Sequence, residues 1–182
     1  DENREFDARV AWDDANLYVR YDVTSKHPLT NATPEDQIMF RGGNCLDLQI
    51  ATNPDADPAR ETPAPGDVRL LVTRKQGEPF TMVYRPKVAG FDGEPIVLRS
   101  PTGTESFDVI ESTDRVALDY EKTDDGFTAV ITVPLELLGW EPASAETVRM
   151  DVGYVFGNAE GTRTAARAYW ANNGFSANVV DD

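Results

Sequence analysis

Few residues in this chain could start a reaction. His27 is the only histidine. A His-based nucleophile triad, a multi-His zinc site or an H-E-x-x-H protease could be built only around it. His27-Pro28 falls in a polar stretch, where a solvated loop position is expected. Cys45 is the only cysteine, so no intrachain disulfide exists and the redox compartment stays unread. Its expected place is that of a small core or edge residue. No G-x-S-x-G, P-loop or G-x-G-x-x-G occurs. The 32 acidic residues offer many carboxylate pairs, but abundance singles out no glycosidase-type pair.

Two stretches carry more specific binding chemistry. Asn53-Pro54-Asp55-Ala56-Asp57 places oxygens at alternate positions of one loop, with Glu61 nearby. Calcium takes such ligands, and the same pattern also makes turns of Asx residues and prolines. Asp13, Asp14 and Asp22 form a second acidic group. Near the C-terminal end, Arg167-Ala168-Tyr169-Trp170-Ala171-Asn172-Asn173-Gly174 sets a large aromatic beside amides and a glycine. Strand alternation turns Tyr169 and Trp170 to opposite sides, with Trp170 expected to face solvent.

The elements that must position these residues read as strands. Ala8 to Trp12 and Leu17 to Thr24 alternate across the Asp13-Asp14-Ala15-Asn16 turn and predict an antiparallel hairpin. Cys45 to Ala51 predicts a strand with Leu46, Leu48 and Ile50 inward. Val68 to Arg74 and Phe80 to Arg85 predict a second hairpin. Ile96 to Leu98, Phe107 to Ile110, Val116 to Tyr120, Phe127 to Val133 and a strand around Val148 to Tyr154 complete the regular part. An edge strand is expected between Trp170 and Val180. Asp125-Gly126 predicts a turn that uses a positive φ at Gly126. Pro134 should stop the following strand, since it has no N–H to donate, and Leu135, Leu137 and Leu138 should make one turn closed by Gly139. Proline-bearing loops run from Ser25 to Gly43 and from Thr52 to Gly66. The first holds a formal glycosylation acceptor, Asn31-Ala32-Thr33. Many short strands with regular turn signals predict an all-β, antiparallel β-sandwich of jelly-roll or immunoglobulin-like layering with long loops.

The totals agree. A chain of 182 residues is expected to form one domain over 1–182. No apolar run nears the roughly 20 residues that span a bilayer. A start on Asp1 without Met is expected of a processed or excised chain. The net charge of -15 opposes binding to nucleic acid or to an anionic membrane.

Four segments together resemble family 9 carbohydrate-binding modules and their DOMON-like relatives. They are Ala8 to Thr24, Gly43 to Thr52, Gly126 to Gly139 (similar to the family's E-x-A-I-P-x-x-x-L-G signature), and Val148 to Trp170 with its late Arg and Trp. The resemblance implies a β-sandwich of a secreted or periplasmic multi-domain protein that binds a polysaccharide or oligosaccharide without catalysis, often with structural calcium. Its partners would be the glycan and other domains of the same polypeptide. Within it, Trp170 looks like the sugar platform, and Arg163, Asn172 and Asn173 would supply hydrogen bonds. The calcium set would be Asn53, Asp55, Asp57 and Glu61. The family clamps its sugar between two tryptophans. The loop after Thr24 offers His27 and Leu29 where the second would stand, Trp12 is expected in the core, and Trp140 at the sandwich edge. Two other classes stay open: a DOMON-type b-haem cytochrome domain using His27 with Met39, Met82 or Met150, and a glycoside hydrolase.

Overall fold

The computed structural model describes residues 4–100, 103–143 and 147–171. Two antiparallel sheets face each other. The four-stranded sheet has the order β1-β2-β10-β9, from β1 (Glu5–Trp12), β2 (Asn16–Thr24), β10 (Gly126–Pro134) and β9 (Ala117–Lys122). The six-stranded sheet has the order β12-β11-β3-β4-β5-β8. Its strands are β12 (Thr164–Tyr169), β11 (Arg149–Gly157), β3 (Cys45–Ala51), β4 (Asp67–Lys75), β5 (Glu78–Arg85) and β8 (Val109–Thr113). The alternation read in β2, β3 and β10 sets their inner faces. Leu17, Val19, Tyr21 and Val23 meet Phe127, Ala129, Ile131 and Val133 in register. Leu46, Leu48 and Ile50 come from the opposite sheet, and all belong to one buried cluster.

The six-stranded sheet is covered on its other face as well. A hairpin of β6 (Ile96–Ser100) and β7 (Gly103–Phe107) and a 3-10 segment, Asp36–Arg41, pack there. They bury Met39, Phe40, Leu98 and Phe107 against Cys45, Leu71, Met82, Tyr84 and Val155. A strand covered on both faces is buried on both, and β4 is buried from Val68 to Thr73, with Val68, Leu70 and Val72 on one face and Arg69, Leu71 and Thr73 on the other.

Several expected elements move. Asp108 breaks the expected Phe107 to Ile110 strand into β7 and β8, and its carboxylate accepts the N–H of Val88 at 2.9 Å. A strand not expected forms at Thr164–Tyr169, β12; the edge strand expected between Trp170 and Val180 falls on residues of which 172–182 lie outside the described residues. Gly126 does not take a positive φ; among the described residues the left-handed glycines are at 43, 66, 77, 90, 139 and 161. A Cβ at Gly126 would sit 1.9 Å from the Val23 carbonyl oxygen, so close approach of β2 fixes that glycine. The turn with two left-handed residues is Gln76-Gly77, between β4 and β5 (φ 53 and 93). β10 ends at Pro134, and α1 (Leu135–Leu138) closes on left-handed Gly139, whose N–H reaches Glu136 O. Asn31 is 1% exposed, its amide donating to Met39 O at 2.7 Å; it tethers the 3-10 segment and offers no acceptor for a glycan.

Candidate functional site: a cleft at the open edge of the sandwich

β1 and β12 are the edge strands on one side of the two sheets, and the space between them is not filled. Phe6, Ala8, Val10 and Trp12 pair with Val23, Tyr21, Val19 and Leu17. Directly paired antiparallel residues share a face, so this apolar row of β1 points inward. Opposite it β12 contributes Ala166 and Ala168, which are too short to reach across. The inner row of β1 therefore stays open: Val10 is 37% and Trp12 59% exposed. Trp12, expected in the core, is thus exposed on the edge strand β1. Its ring lies 5.9 Å from that of Trp140, which is buried in the main core at 5% exposure.

The result is a cleft of about 570 Å³. Phe6, Val10, Met150 and Val152 form apolar walls, and Arg4, Glu5 and Asp7 bring charge to the rim. Trp170 lines it and is 73% exposed. Its backbone is fixed by the Trp170 N–H to Val152 O bond at 2.9 Å.

Tyr169 explains why Trp170 faces this way. It is 8% exposed, and its hydroxyl donates to Asp47 Oδ2 at 2.8 Å on the far face of the sheet. Its ring lies over Gly153, where a Cβ would meet it at 2.2 Å. Asp47 in turn receives Arg69 Nε at 3.0 Å and Nη2 at 2.6 Å, a bidentate pair. The guanidinium stacks on Phe40, 5.4 Å from the ring centroid. Burial and the negative Asp47 beside it push the Tyr169 hydroxyl up from its ordinary value, so at neutral pH it is a firm donor. With Tyr169 locked outward, strand alternation turns Trp170 into the cleft.

Of the other expected ligand residues, Arg163 stands apart from the cleft. Arg163 precedes β12 and Trp170 follows it, so about 20 Å of extended chain separates them. Asn172 and Asn173 lie outside the described residues. The contributions of Phe6 and the Arg4 to Asp7 rim escape a reading that starts the first strand at Ala8. Their signal was the same alternation, continued two residues back through Phe6.

The loop expected to hold calcium uses its oxygens internally. Asn53 Oδ1 accepts the N–H of Asp55 at 3.0 Å, and Asp57 Oδ1 accepts that of Ala59 at 2.8 Å. Arg60 bridges Asp57 O at 3.0 Å and Asp67 Oδ1 at 2.5 Å. Glu61 is exposed. Among the described residues no three His, Cys, Asp or Glu side chains stand close enough together to hold a metal. Asp13 caps its own turn through Ala15 and Asn16 N–H groups, and Asp22 pairs with Arg20 at 2.7 Å. His27 lines a separate shallow hollow with Tyr120 and Gly126, while Met39 and Met82 belong to the core on the far face of the six-stranded sheet. Met150 lines the Trp170 cleft, so none of the three methionines lines the hollow that His27 does.

No protein-family model matches the chain, and no curated protein or solved structure matches it.

Proposed function

We propose that this chain is a non-catalytic carbohydrate-binding module that takes a short glycan in the cleft, with Trp170 as the stacking platform. One observation carries the reading: a 73% exposed tryptophan lines a cleft with apolar walls and a charged rim. Exposed apolar surface that is contiguous and rimmed by charge marks a binding site, and Trp170 and Val10 are exposed together along this cleft. Pyranose C–H groups pack on such a ring while rim groups take the hydroxyls. Trp12, open on the same row of β1 as Val10, offers a second aromatic surface further along the same edge. In this reading the chain is one part of an exported multi-domain protein.

Affinity should be about millimolar, roughly 4 kcal/mol, because one platform does the stacking. Indole fluorescence titrated with cellobiose, xylobiose and other short glycans tests it. Wild type should respond and Trp170→Ala should stay folded and lose the response. A wild type that answers no glycan refutes the reading. Structural calcium is a separate proposal for the 53–61 loop, which would have to bind through carbonyls and the free Asp55 and Glu61 carboxylates. Melting in EDTA, magnesium and calcium at matched ionic strength decides it: calcium alone should raise the midpoint.

A further inference from the structure

A second cavity, of about 440 Å³, lies at the end of the six-stranded sheet beneath the 52–66 loop. Its floor is one cross-strand row, Asp151–Gln49–Arg69, set by the β11, β3 and β4 registers. Asp151 and Arg69 are 6% and 5% exposed. Each is held in place by the protein. Asp151 Oδ1 accepts the Ala171 N–H at 2.9 Å. Arg69 uses Nε and Nη2 on Asp47, which leaves its Nη1 edge outside that pairing. Between them Gln49 carries a buried Nε2 with no hydrogen-bond partner. Buried amides are normally paired, and an orphan calls for a water or a ligand; turning the amide over exchanges its donor and acceptor ends. Arg149 stands exposed at the rim.

The charges lining this cavity balance: Arg60, Arg69 and Arg149 against Glu61, Asp67 and Asp151. A balanced set of fixed donors and acceptors suits a neutral ligand that both donates and accepts. Two of the three arginines are already neutralised in ion pairs, Arg60 with Asp67 and Arg69 with Asp47, so little net charge is left to draw an ion. The planar carboxylate, carboxamide and guanidinium in one row match adjacent hydroxyls.

We infer that this cavity is a binding site for a neutral polyol, distinct from the Trp170 cleft and reached from the opposite side of the β12 end, where Trp170 lines one cavity and Ala171 the other. It does not depend on the glycan reading of the cleft. The experiment is side-chain and backbone amide NMR of the intact chain with glucose, xylose, mannose, glycerol and myo-inositol up to about 50 mM, with glucuronate as the charged comparison. The Gln49 side-chain amide and the Asp151 backbone amide should shift with at least one neutral polyol and less with glucuronate. The shifts should persist in Trp170→Ala and weaken at least tenfold in Gln49→Ala and in the surface variant Arg149→Ala. Four results overturn the proposal: no shift at Gln49 with any polyol, shifts that vanish in Trp170→Ala, a stronger response to glucuronate, or full binding by both Gln49→Ala and Arg149→Ala. A silent Gln49 with a fluorescence response at Trp170 refutes the cavity and leaves the cleft reading standing.

Discussion

At the residue scale, the Asp47–Arg69–Tyr169 network does the positioning. A hydrogen bond to a charged group contributes about 1.5–3 kcal/mol, so Tyr169→Phe should lower stability by that much in urea unfolding. Tyr84 is equally buried, but its hydroxyl has no partner. Tyr84→Phe should therefore cost less than about 0.5 kcal/mol or stabilise. Removing one partner of a buried ion pair strands the other; Arg69→Met should lose about 3–5 kcal/mol in the same measurement. Cys45 shows the reverse face of burial. Burial pushes its thiol up to about 12 from 9.0, so it should resist alkylation at pH 8 until the chain unfolds. The same burial raises the hydroxyls of Tyr21, Tyr84, Tyr154 and Tyr169 above 10.0. A raised folded value leaves stability whole below the unfolded value and removes it as pH climbs past it. Urea midpoints should hold to about pH 9 and fall above it. Cys45→Ala should move the onset up toward the tyrosine range, since the cysteine contribution begins first. An onset unmoved by Cys45→Ala would assign the loss to the tyrosines alone.

At the element scale, two glycine-bearing turns separate the two reasons for a glycine. Gly126 stands against the Val23 carbonyl, so even Gly126→Ala should cost about 1–3 kcal/mol, as overpacking does. If a left-handed φ were the reason, Gly126→Asn would be tolerated better than Gly126→Ala. The β4–β5 turn holds Gln76 at φ 53 ahead of Gly77. Asn-Gly is the favoured pair for such a turn, so Gln76→Asn should raise stability by a few tenths of a kcal/mol. Strand identity was legible because alternation in β2, β3 and β10 is local and strict. β12 was not: Thr-Ala-Ala-Arg-Ala-Tyr has little apolar contrast, and what makes it a strand is the edge of β11 beside it. The 3-10 segment hid for a similar reason, since Met39 and Phe40 are too close together in sequence to show a period.

At the scale of the whole molecule, -15 net charge on a folded chain repels itself, and salt screens that repulsion. Raising sodium chloride from about 20 to about 500 mM at pH 7 should raise the melting temperature; a falling midpoint would mean that surface pairs such as Arg20–Asp22 outweigh the repulsion. The three-layer arrangement matters more for binding. The six-stranded sheet spends both faces on cores, so the cavities are left to the edges and ends of the sheets. Both contact Met150, on either side of the β12 terminus.

The sequence alone determined the all-β class, most strands, and the opposite facing of Tyr169 and Trp170. Each follows from period-2 alternation or from a missing proline N–H, which act within a few residues. Only the tertiary structure decided that Trp12 is exposed, that Arg163 stands a strand's length from Trp170, and that the 53–57 oxygens close turns on themselves. Those outcomes depend on which strand lies opposite which. The cleft opens between β1 and the end of β12, and that gap is a property of the pair of sheets that neither strand carries by itself.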